Sequence, residues 1–490
     1  MSRISAAQRP RLVALLLAAA AVIAAAVLLV VTRDGGEPDE PAGRSAVASP
    51  LVTPSPPPPS RPPSPAAARV VSALEYGATP DDDGDDTAAI LAALRDVAGT
   101  GVGVHLPAGL YRVTTLRVPD GSRLVGDGAR SRLLGGVELG ARCRVSDLTV
   151  GADGRAFRFA DGATRCLLTR VTFVGGGSTG SGDDHGVIRF TDDRTASHIA
   201  FTDCVIGANS ADGNGVSIVD QGWEGATYHD LTWRRCVFKG SPRMSFECIQ
   251  RPDGVHPMTT GYHSIDLIDC VFEPSGSETV SFDAVHEGGS SRITGCTFLG
   301  AGWNDAYPWK QTVEFNRATD MVFSGNTVYR GLGAMINHNG VPGEPDGTVI
   351  SDNVFDATVA YIPKAPSREI QLIYFNNVNG ARFTRNTVRS DAGGELAYLS
   401  GSSDNVFAGN RFIDTRPADE ALACIKFSSS SHDNRFSGEL FRTAAAVGAL
   451  VAVAGSTGNL VERSTFVTGE GRPVTVEAGS SILLMDNTYR

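Results

Sequence analysis

The sequence predicts an all-β fold, a single-stranded right-handed parallel β-helix of about 13 or more coils over residues 69–490. Three observations predict it: a repeat of about 28 residues, period-two apolar alternation inside each repeat, and one recurring break in that alternation. The break requires a corner in the chain. Because one repeat is too short to bury its own apolar face, successive repeats must stack along one axis.

The repeat reads apolar-x-apolar, two residues, a ladder residue, any residue, then an aromatic or aliphatic residue. Copies lie at 199–206, 231–238, 265–272, 293–298 and 321–328. The ladder residues and further repeat centres are Leu148, Val171, Cys204, Cys236, Cys270, Cys296, Asn326, Asn353, Asn386, Asn410, Asn434, Ser464 and Asn487. Since an Asn amide both donates and accepts hydrogen bonds, we expect one self-satisfying Asn column from 326 to 434.

The N-terminal region predicts a membrane tether. Residues 1–11 read as a cytoplasmic tail, because Arg3, Arg9 and Arg11 precede the apolar run without an acid among them. Leu12–Val31 is an unbroken apolar run of 20 residues, long enough for one transmembrane signal anchor. Residues 32–68 contain 11 prolines and predict a disordered or extended linker. We therefore expect a single-pass membrane protein whose folded domain is extracellular.

Charge and cysteine content restrict the partners. From residue 69 onward the chain has 37 basic and 50 acidic residues, which argues against a nucleic-acid partner. Four of the eight cysteines lie on ladder positions, where side chains point the same way and disulfide geometry is disfavoured. We expect free buried thiols. The spacing contains no C-x-x-C motif, and no metal site is predicted from the cysteines.

Three motifs near the start of the folded region resemble a known family. They are Val70–Ala78 with Asp83–Ile90, Leu106-Pro107-Ala108-Gly109-Leu110-Tyr111, and Leu124-Val125-Gly126-Asp127-Gly128. Together they look like the N-terminal cap and first coils of the pectate lyase superfamily, the pectin lyase-like fold. In this interpretation Asp86 or Thr87 caps a short helix that runs to about Ala98 and covers the open end of the solenoid. The acidic run 81–86 then belongs to the cap rather than to a calcium site.

The resemblance implies the fold more strongly than the function. The superfamily contains lyases, hydrolases, epimerases and non-enzymes. The coils contain no Asn-Thr-Asp, paired Asp-Asp, Gly-His-Gly or Arg-Ile-Lys signature of polygalacturonases at a matching place. The calcium and arginine sites of pectate lyases have no convincing match either. No catalytic residue can therefore be transferred by motif.

A second strand precedes each ladder segment, and its alternation predicts an outward-facing column. Its members are Arg158, Arg189, Ser217, Glu247, Ser281, Glu314, Asn337 and Tyr374, and a neighbouring column contains Asp283, Asn316, Asn339 and Asn376. If strands of adjacent coils lie about 4.8 Å apart, Asp283 and Glu314 are about 5 Å apart at the backbone and Glu247 and Glu314 about 10 Å. Both separations suit two-carboxylate glycosidases.

These columns define the candidate site. We expect Glu247, Asp283 and Glu314 to be catalytic acids and bases. Substrate binding is assigned to Asn316, Asn337, His338, Asn339, Trp303 and Trp309. His286, Lys310 and Arg317 are candidate accessory groups, and turns at 251–262, with His256, and at 300–310 are expected to wall a groove. Carboxylates beside aromatic platforms are the groups that sugar binding and cleavage require.

Three functions remain open from the sequence. The first is a surface-anchored enzyme that acts on a polysaccharide, a glycoside hydrolase or a polysaccharide lyase. A lyase would need a basic group, and either a cation such as calcium or an arginine to neutralise a uronate. The second is a non-catalytic binder of cell-envelope glycan. The third is a structural spacer or adhesin, for which the tether and a stiff solenoid are sufficient.

Overall fold

The computed structural model of the chain describes residues 69–152, 157–175, 186–190, 195–209, 213–220, 227–250, 262–283, 291–364, 366–468 and 472–490. The predicted tail, anchor and linker lie outside the described residues, as do His256 and His286. Within those ranges, no helix has the length and apolarity needed to cross a bilayer.

The described chain forms a right-handed parallel β-helix whose strands stack in three rows. The first row, here called the groove row, consists of the later parts of Gly109–Val118 and Ser131–Leu139, then Phe157–Phe159, Gly186–Phe190, Asn214–Asp220, Phe246–Gln250, Val280–Asp283, Val313–Asn316, Ile336–Asn339, Ile373–Asn376, Ala397–Ser400, Ile425–Ser428, Leu450–Ala452 and Val474–Val476. Each strand pairs in parallel with the equivalent strand of the next coil, as the repeat predicts.

The second and third rows follow in each coil. The second row contains Val70–Ser72, Gly103–Leu106, Arg123–Gly126, Arg144–Ala152, Ala163–Thr164, Leu167–Gly175, Thr195–Thr202, Thr227–Arg234, Tyr262–Ile268, Arg292–Thr294, Val322–Ser324, Val349–Ser351, Arg382–Thr384, Val406–Ala408, Arg435–Ser437, Asn459–Glu462 and Ile482–Met485. The third contains Val205–Ile206, Val237–Phe238, Val271–Phe272, Thr297–Phe298, Thr327–Arg330, Val354–Ala360, Thr387–Ser390, Arg411–Asp414, Leu440–Arg442, Thr465–Val467 and Thr488–Tyr489. In the first coils, long bent strands continue from one row into the next.

The predicted cap is present. An α-helix, Thr87–Asp96, buries Ile90 and Leu94 in the core, and 3-10 turns occupy Ala73–Tyr76 and Gly128–Arg130. The helix ends two residues before the predicted end. The Asp86 side chain does not cap it, because its two oxygens accept hydrogen bonds from the backbone amides of Thr79 and Arg112.

The acidic run at 81–86 is used within the cap, as predicted. Asp85 accepts a hydrogen bond from the backbone amide of Thr87 at 2.9 Å. Asp81 accepts one from the backbone amide of Leu110 at 3.0 Å. These carboxylates satisfy local backbone donors, so their structural use explains their clustering.

The break in the alternation is a corner in the left-handed region. Asp203, Arg235 and Asp269 immediately precede ladder cysteines in successive coils and have φ of 54°, 51° and 53°. Because a non-glycine residue is strained there, the corner needs local compensation. Arg235 provides it with a bidentate ion pair to Asp203, with nitrogen–oxygen distances of 2.7 and 3.0 Å.

The Asn ladder is present, and each rung satisfies its neighbours. Asn353 Nδ2 donates to the carbonyl of Phe323 and to Asn386 Oδ1, both at 2.9 Å. Its Oδ1 accepts from the backbone amide of Asn326 at 2.8 Å and from Asn326 Nδ2 at 3.1 Å. One amide side chain thus bonds to both adjacent coils, as the sequence predicts.

The predicted single column to Asn434 is wrong, because Asn434 lies at a different corner. The first ladder continues from Asn410 to Glu439, whose carboxylate accepts bonds from the Asn410 amide groups. Asn434 belongs to a second ladder with Asn405 and Asn459 at the corner before the second row. Both corners need buried side chains that bond to backbone groups, so both select similar residues.

The interior is filled by stacked apolar side chains. Phe238, Phe272 and Phe298 stack in successive coils with centroid distances of 4.4 and 4.7 Å. Trp233 is fully buried and stacks on Phe201 at 4.9 Å. All eight cysteines are free and buried, which agrees with the prediction of unpaired thiols. The rigid stack fixes the direction in which the outward residues of each strand point.

Replacing Asn353 with Ala tests the ladder. The substitution leaves the backbone amide of Asn326, the carbonyl of Phe323 and one side of Asn386 without a partner. Since each buried unsatisfied group costs about 1–3 kcal/mol, we expect a loss of about 3 kcal/mol in the free energy of unfolding. Denaturant unfolding measures it. The control Val354→Thr, at an exposed position of the same coil, should change stability by less than about 0.5 kcal/mol. A similar effect of both substitutions would contradict the ladder.

Glu439 gives the fold a pH dependence. Burial raises its pKa to about 8, against hydrogen bonds from Asn410 that lower it. Because the pKa of Glu439 is higher in the folded state than in the unfolded state, the folded protein binds more protons between these two values. The free energy of unfolding therefore falls as pH rises toward 8. We expect Glu439→Gln to raise the unfolding midpoint by roughly 2 °C at pH 8.5, for a gain of about 1 kcal/mol. At pH 5 the variant and the parent should match. Equal midpoint differences at both pH values would show that Glu439 does not titrate in this way.

Candidate functional site

The outward column of the groove row has the predicted register. Glu247, Ser281 and Glu314 are directly aligned in consecutive coils, and Asn337 and Tyr374 continue the column. Asp283, Asn316, Asn339 and Asn376 form the neighbouring column. Because parallel pairing repeats every coil, polar residues at the same strand position form rows along the helix axis.

One predicted separation is wrong. Asp283 pairs with Asn316, whereas Glu314 pairs with Ser281. Asp283 and Glu314 are therefore diagonal neighbours, and their Cα atoms are about 8 Å apart rather than about 5 Å. Glu247 and Glu314 are two coils apart, which agrees with the predicted spacing of about 10 Å.

Glu314 has the most perturbed environment among the predicted carboxylates. Ser281 Oγ donates to Oε2 at 3.1 Å, and Asn337 Nδ2 donates to Oε1 at 3.0 Å. Burial, together with the charges of Glu278 and Asp283, raises its pKa to about 7, although these two hydrogen bonds lower it. A carboxyl group with this pKa can hold a proton near neutral pH and donate it in a reaction.

Asp283 lies at the downstream edge of the strand. Its Oδ1 accepts a hydrogen bond from Asn316 Nδ2 at 2.9 Å. The same oxygen forms an ion pair with Arg317 Nη2 at 3.1 Å. About 19% of its side chain is exposed, so it remains accessible from the solvent side. The predicted accessory residue Arg317 therefore contacts a candidate carboxylate.

Glu247 is closed off from the surface. Arg243 Nη2 contacts Oε1 at 2.9 Å, Asn214 Nδ2 contacts Oε2 at 2.6 Å, and only 3% of the side chain is exposed. A buried charge needs such partners. The structure thus gives Glu247 a local ion pair that its position in the column did not reveal.

The groove beside Glu314 is a cavity of about 480 Å³. Asn316, Asn337 and Asn339, the asparagines to which the sequence assigns substrate binding, line it. The predicted accessory residue Lys310 also lines it, and further lining residues are Pro308, Gln311, Leu332, Gly333, Ala334, Ile370, Gln371 and Tyr374. Amide groups and a tyrosine around a carboxyl form a polar surface that matches the hydroxyl groups and apolar faces of sugars.

The two predicted tryptophans have different positions. Trp309 lines the groove and is 59% exposed. Trp303 does not line it, since its indole Nε1 donates to the carbonyl of Pro274 on a neighbouring turn at 2.9 Å. Lys310 lines the groove, but its Nζ donates to the carbonyls of Gly302 and Asn304 and holds the turn. The turn at 300–310 therefore forms one wall, as predicted.

His338 faces the interior, so a binding role for it is wrong. It is fully buried between Phe315 and Phe375, with centroid distances of 5.6 and 5.5 Å. Its Nε2 lies 2.8 Å from the buried Asp346 Oδ2. The alternation places Asn337 outward and His338 inward, and the buried Asp346 makes a polar core residue tolerable.

Two polar residues near the groove were not predicted. Glu278 is buried beside Ser277, and burial is the main cause that raises its pKa. In the register of the coils Glu278 is aligned with Met244 and Gln311. A charged residue at a position that is uncharged in the adjacent coils was therefore a feature by which the sequence could have identified Glu278. Gln371 lines the groove at the same position, two residues before its strand, where it aligns with Gln311 through Ala334.

The outward column continues past the cavity. Tyr374, Tyr398 and Lys426 are aligned in successive coils. The two tyrosine rings are 5.6 Å apart, and Lys426 Nζ lies 5.4 Å from the centroid of Tyr398. These residues form a partly exposed aromatic and cationic strip along the axis, here called the tyrosine strip.

A family model matches the cap and the first coils. Residues 70–140 match the family described as rhamnogalacturonase A/epimerase, pectate lyase-like. No curated protein matches the sequence. Among solved structures, the chain is similar to the A-module of the mannuronan C-5 epimerase AlgE4 of Azotobacter vinelandii, with 15% identity and a TM-score of 0.39 over 84% of this chain and 99% of that one.

Two other solved structures are similar. The surface adhesin PfbA of Streptococcus pneumoniae has 14% identity and a TM-score of 0.43 over 86% of this chain and 90% of that chain. The tailspike protein 3 of bacteriophage CBA120 has 14% identity and a TM-score of 0.47 over 84% of this chain and 61% of that chain. Residues 70–140 thus match a pectate lyase-like family, and the continuous parallel β-helix that follows them supports a place for the folded part in the pectate lyase-like superfamily.

Proposed function

We propose that this protein binds and hydrolyses a polysaccharide in the groove beside Glu314. The observation that carries the proposal is a carboxyl group whose pKa burial raises to about 7, at the floor of an open cavity lined by amides and aromatics. Such a group can protonate the leaving oxygen of a glycosidic bond, which is the general-acid step of glycoside hydrolysis.

Asp283 is the proposed second carboxylate. It lies on the adjacent coil, diagonal to Glu314, and is partly exposed. Inverting glycosidases hold a water molecule between two carboxyl groups about 6.5–9.5 Å apart, and side chains that begin about 8 Å apart at Cα can reach this separation. Glu247 is too enclosed by Arg243 and Asn214 to act on a substrate directly. Its proposed role is to support the column by its ion pair.

Hydrolysis is favoured over elimination by the environment of the basic groups. A lyase needs a free base near a uronate, and Lys310 spends two donors on carbonyls of its own turn. Arg317 is paired with Asp283. No calcium site is proposed. Addition of calcium to the activity assay tests whether the reaction requires this cation.

The tyrosine strip supports binding along several coils. One sugar of an extended chain covers about the same distance as one coil, so successive sugars could contact Asn337, Tyr374 and Tyr398 in turn. The same strip favours a second candidate function, a non-catalytic glycan binder. In that case the groove would hold the polymer without turnover.

The proposed location is the outer face of a cell membrane. The apolar run at 12–31 supports a single-pass anchor, and the basic residues before it support a cytoplasmic N-terminus. The Pro-rich stretch at 32–68 would act as a spacer. A folded domain held in this way meets envelope or extracellular glycans, which suits the proposed partner.

Glu314→Gln tests the acid. Glutamine keeps the shape of the side chain but cannot donate the proton, so we expect a loss of 10²- to 10⁴-fold in turnover. The full-length protein, purified in detergent, is incubated with neutral and uronic polysaccharides with and without calcium. Reducing ends and absorbance of unsaturated products are followed. Parent activity should fall as pH rises through about 7, because Glu314 must be protonated.

The control for this experiment is Glu344→Gln, which changes an exposed glutamate on a turn away from the groove. It should retain full activity. An active Glu314→Gln enzyme would refute the role of the acid. Unsaturated products would indicate a lyase, and the absence of both products over a panel that includes envelope glycans would favour the binder.

Tyr398→Ala tests the strip. Removal of the ring should weaken oligosaccharide binding by about tenfold, corresponding to about 1.4 kcal/mol, without changing the pH dependence. Isothermal titration calorimetry measures the affinity. Tyr361→Ala is the control, because Tyr361 is 52% exposed and contacts Tyr329 rather than the strip. Equal losses in both variants would argue against binding along the strip.

A further inference from the structure

A cluster of histidines lies on strands that do not carry the groove carboxylates. His198 and Asp230 occupy the same corner position in consecutive coils, with φ of 54° and 55°. His229 immediately precedes Asp230 and is aligned with His263 of the next coil. The strands are Thr195–Thr202, Thr227–Arg234 and Tyr262–Ile268, all of the second row. Parallel stacking therefore brings three imidazoles and one carboxylate to one corner.

The donor atoms of this cluster converge. His229 Nδ1 lies 2.8 Å from Asp230 Oδ2, and His198 Nε2 lies 3.4 Å from the same oxygen. One donor atom from each of His198, His229 and Asp230 lies within 4.8 Å of the other two. The ring of His263 stacks on His229 with centroids 4.8 Å apart and limits its rotation.

The geometry points to a binding site for a borderline divalent cation such as Zn²⁺, with His198, His229 and Asp230 as ligands. Imidazole nitrogen and carboxylate oxygen are ligands that zinc prefers, at about 2.0–2.2 Å. Tetrahedral coordination at these lengths places donor atoms about 3.4 Å apart, the separation already present between His198 and Asp230. Side-chain rotation can close the remaining distances, because 52% of His198 and 43% of Asp230 is exposed.

A comparison inside the same protein identifies the residue that makes this corner different. His432 and Asp433 repeat the arrangement of His229 and Asp230 at the equivalent corner of a later coil. The Nδ1–Oδ2 distance is 3.0 Å, and Asp433 has φ of 54°. In the coil before it, the corner residue aligned with Asp433 is Asp404 rather than a histidine. The later corner therefore has one imidazole and two carboxylates, whereas His198 gives the first corner two imidazoles and one carboxylate.

A bound ion would link two coils. His198 belongs to one coil and both other ligands to the next, so coordination crosslinks neighbouring turns of the solenoid at an exposed corner. A ligand that binds only the folded state stabilises it in proportion to its concentration relative to Kd. The proposed ion thus has a structural effect that is independent of catalysis in the groove.

Zinc titration of the full-length protein tests the site. The protein is produced without a histidine tag, stripped with a chelator and titrated with ZnCl₂ by isothermal titration calorimetry. We expect one site per chain that His198→Asn and His229→Gln each weaken at least tenfold. Asn is chosen at 198 because it tolerates the left-handed corner. His432→Gln, at the matched corner, should leave the affinity unchanged.

Thermal unfolding gives the second readout. Zinc should raise the unfolding midpoint of the parent and of His432→Gln, but not that of His198→Asn, whose circular dichroism without zinc should match the parent. The inference is overturned if the parent shows no saturable binding. It is also overturned if His198→Asn binds as tightly as His432→Gln, or if calcium binds the site as well as zinc does.

Discussion

The structure depends on one constraint, that a single coil can satisfy neither its apolar face nor its buried polar groups without the next coil. Stacked aromatics such as Phe238, Phe272 and Phe298 meet the first need. Side-chain ladders meet the second, since Asn353 bonds to the coils on both sides. Parallel register follows, because a slip by one residue would turn apolar side chains to solvent and break the ladder.

The groove follows from the same register. Once the inward residues of the groove row are fixed by the core, the residues between them must form outward columns. Glu314 is thereby held beside Ser281 and Asn337 of the adjacent coils. Its raised pKa arises from burial between coils and from neighbouring carboxylates that the stack brings close. The chemistry of the site is therefore a property of several coils rather than of one motif.

The corners have two uses. Most are occupied by residues that tolerate the left-handed conformation, and ion pairs such as Arg235 with Asp203 compensate for the strain. Asp and His are tolerated there for the same backbone reason. Where the two types fall in consecutive coils, as with His198 and Asp230, the corner also collects metal-ligating groups. A backbone requirement thus placed imidazole and carboxylate groups together without a local sequence motif.

The sequence by itself determined the solenoid, the cap, the free cysteines and the order of the outward columns. These depend on period-two alternation and on repeat spacing, which are local features of the chain. The tertiary structure decided which polar residues are accessible. His338 and Asn337 are adjacent in sequence, yet one is in the core and the other in the groove. Arg243, in the turn before the same strand, covers Glu247 and separates it from solvent. In the first ladder Glu439 stands where the sequence predicted Asn434, because two different corners have the same residue pattern. Burial and ion pairing depend on which residues neighbouring coils and turns bring into contact, and repeat spacing does not encode the path of those turns.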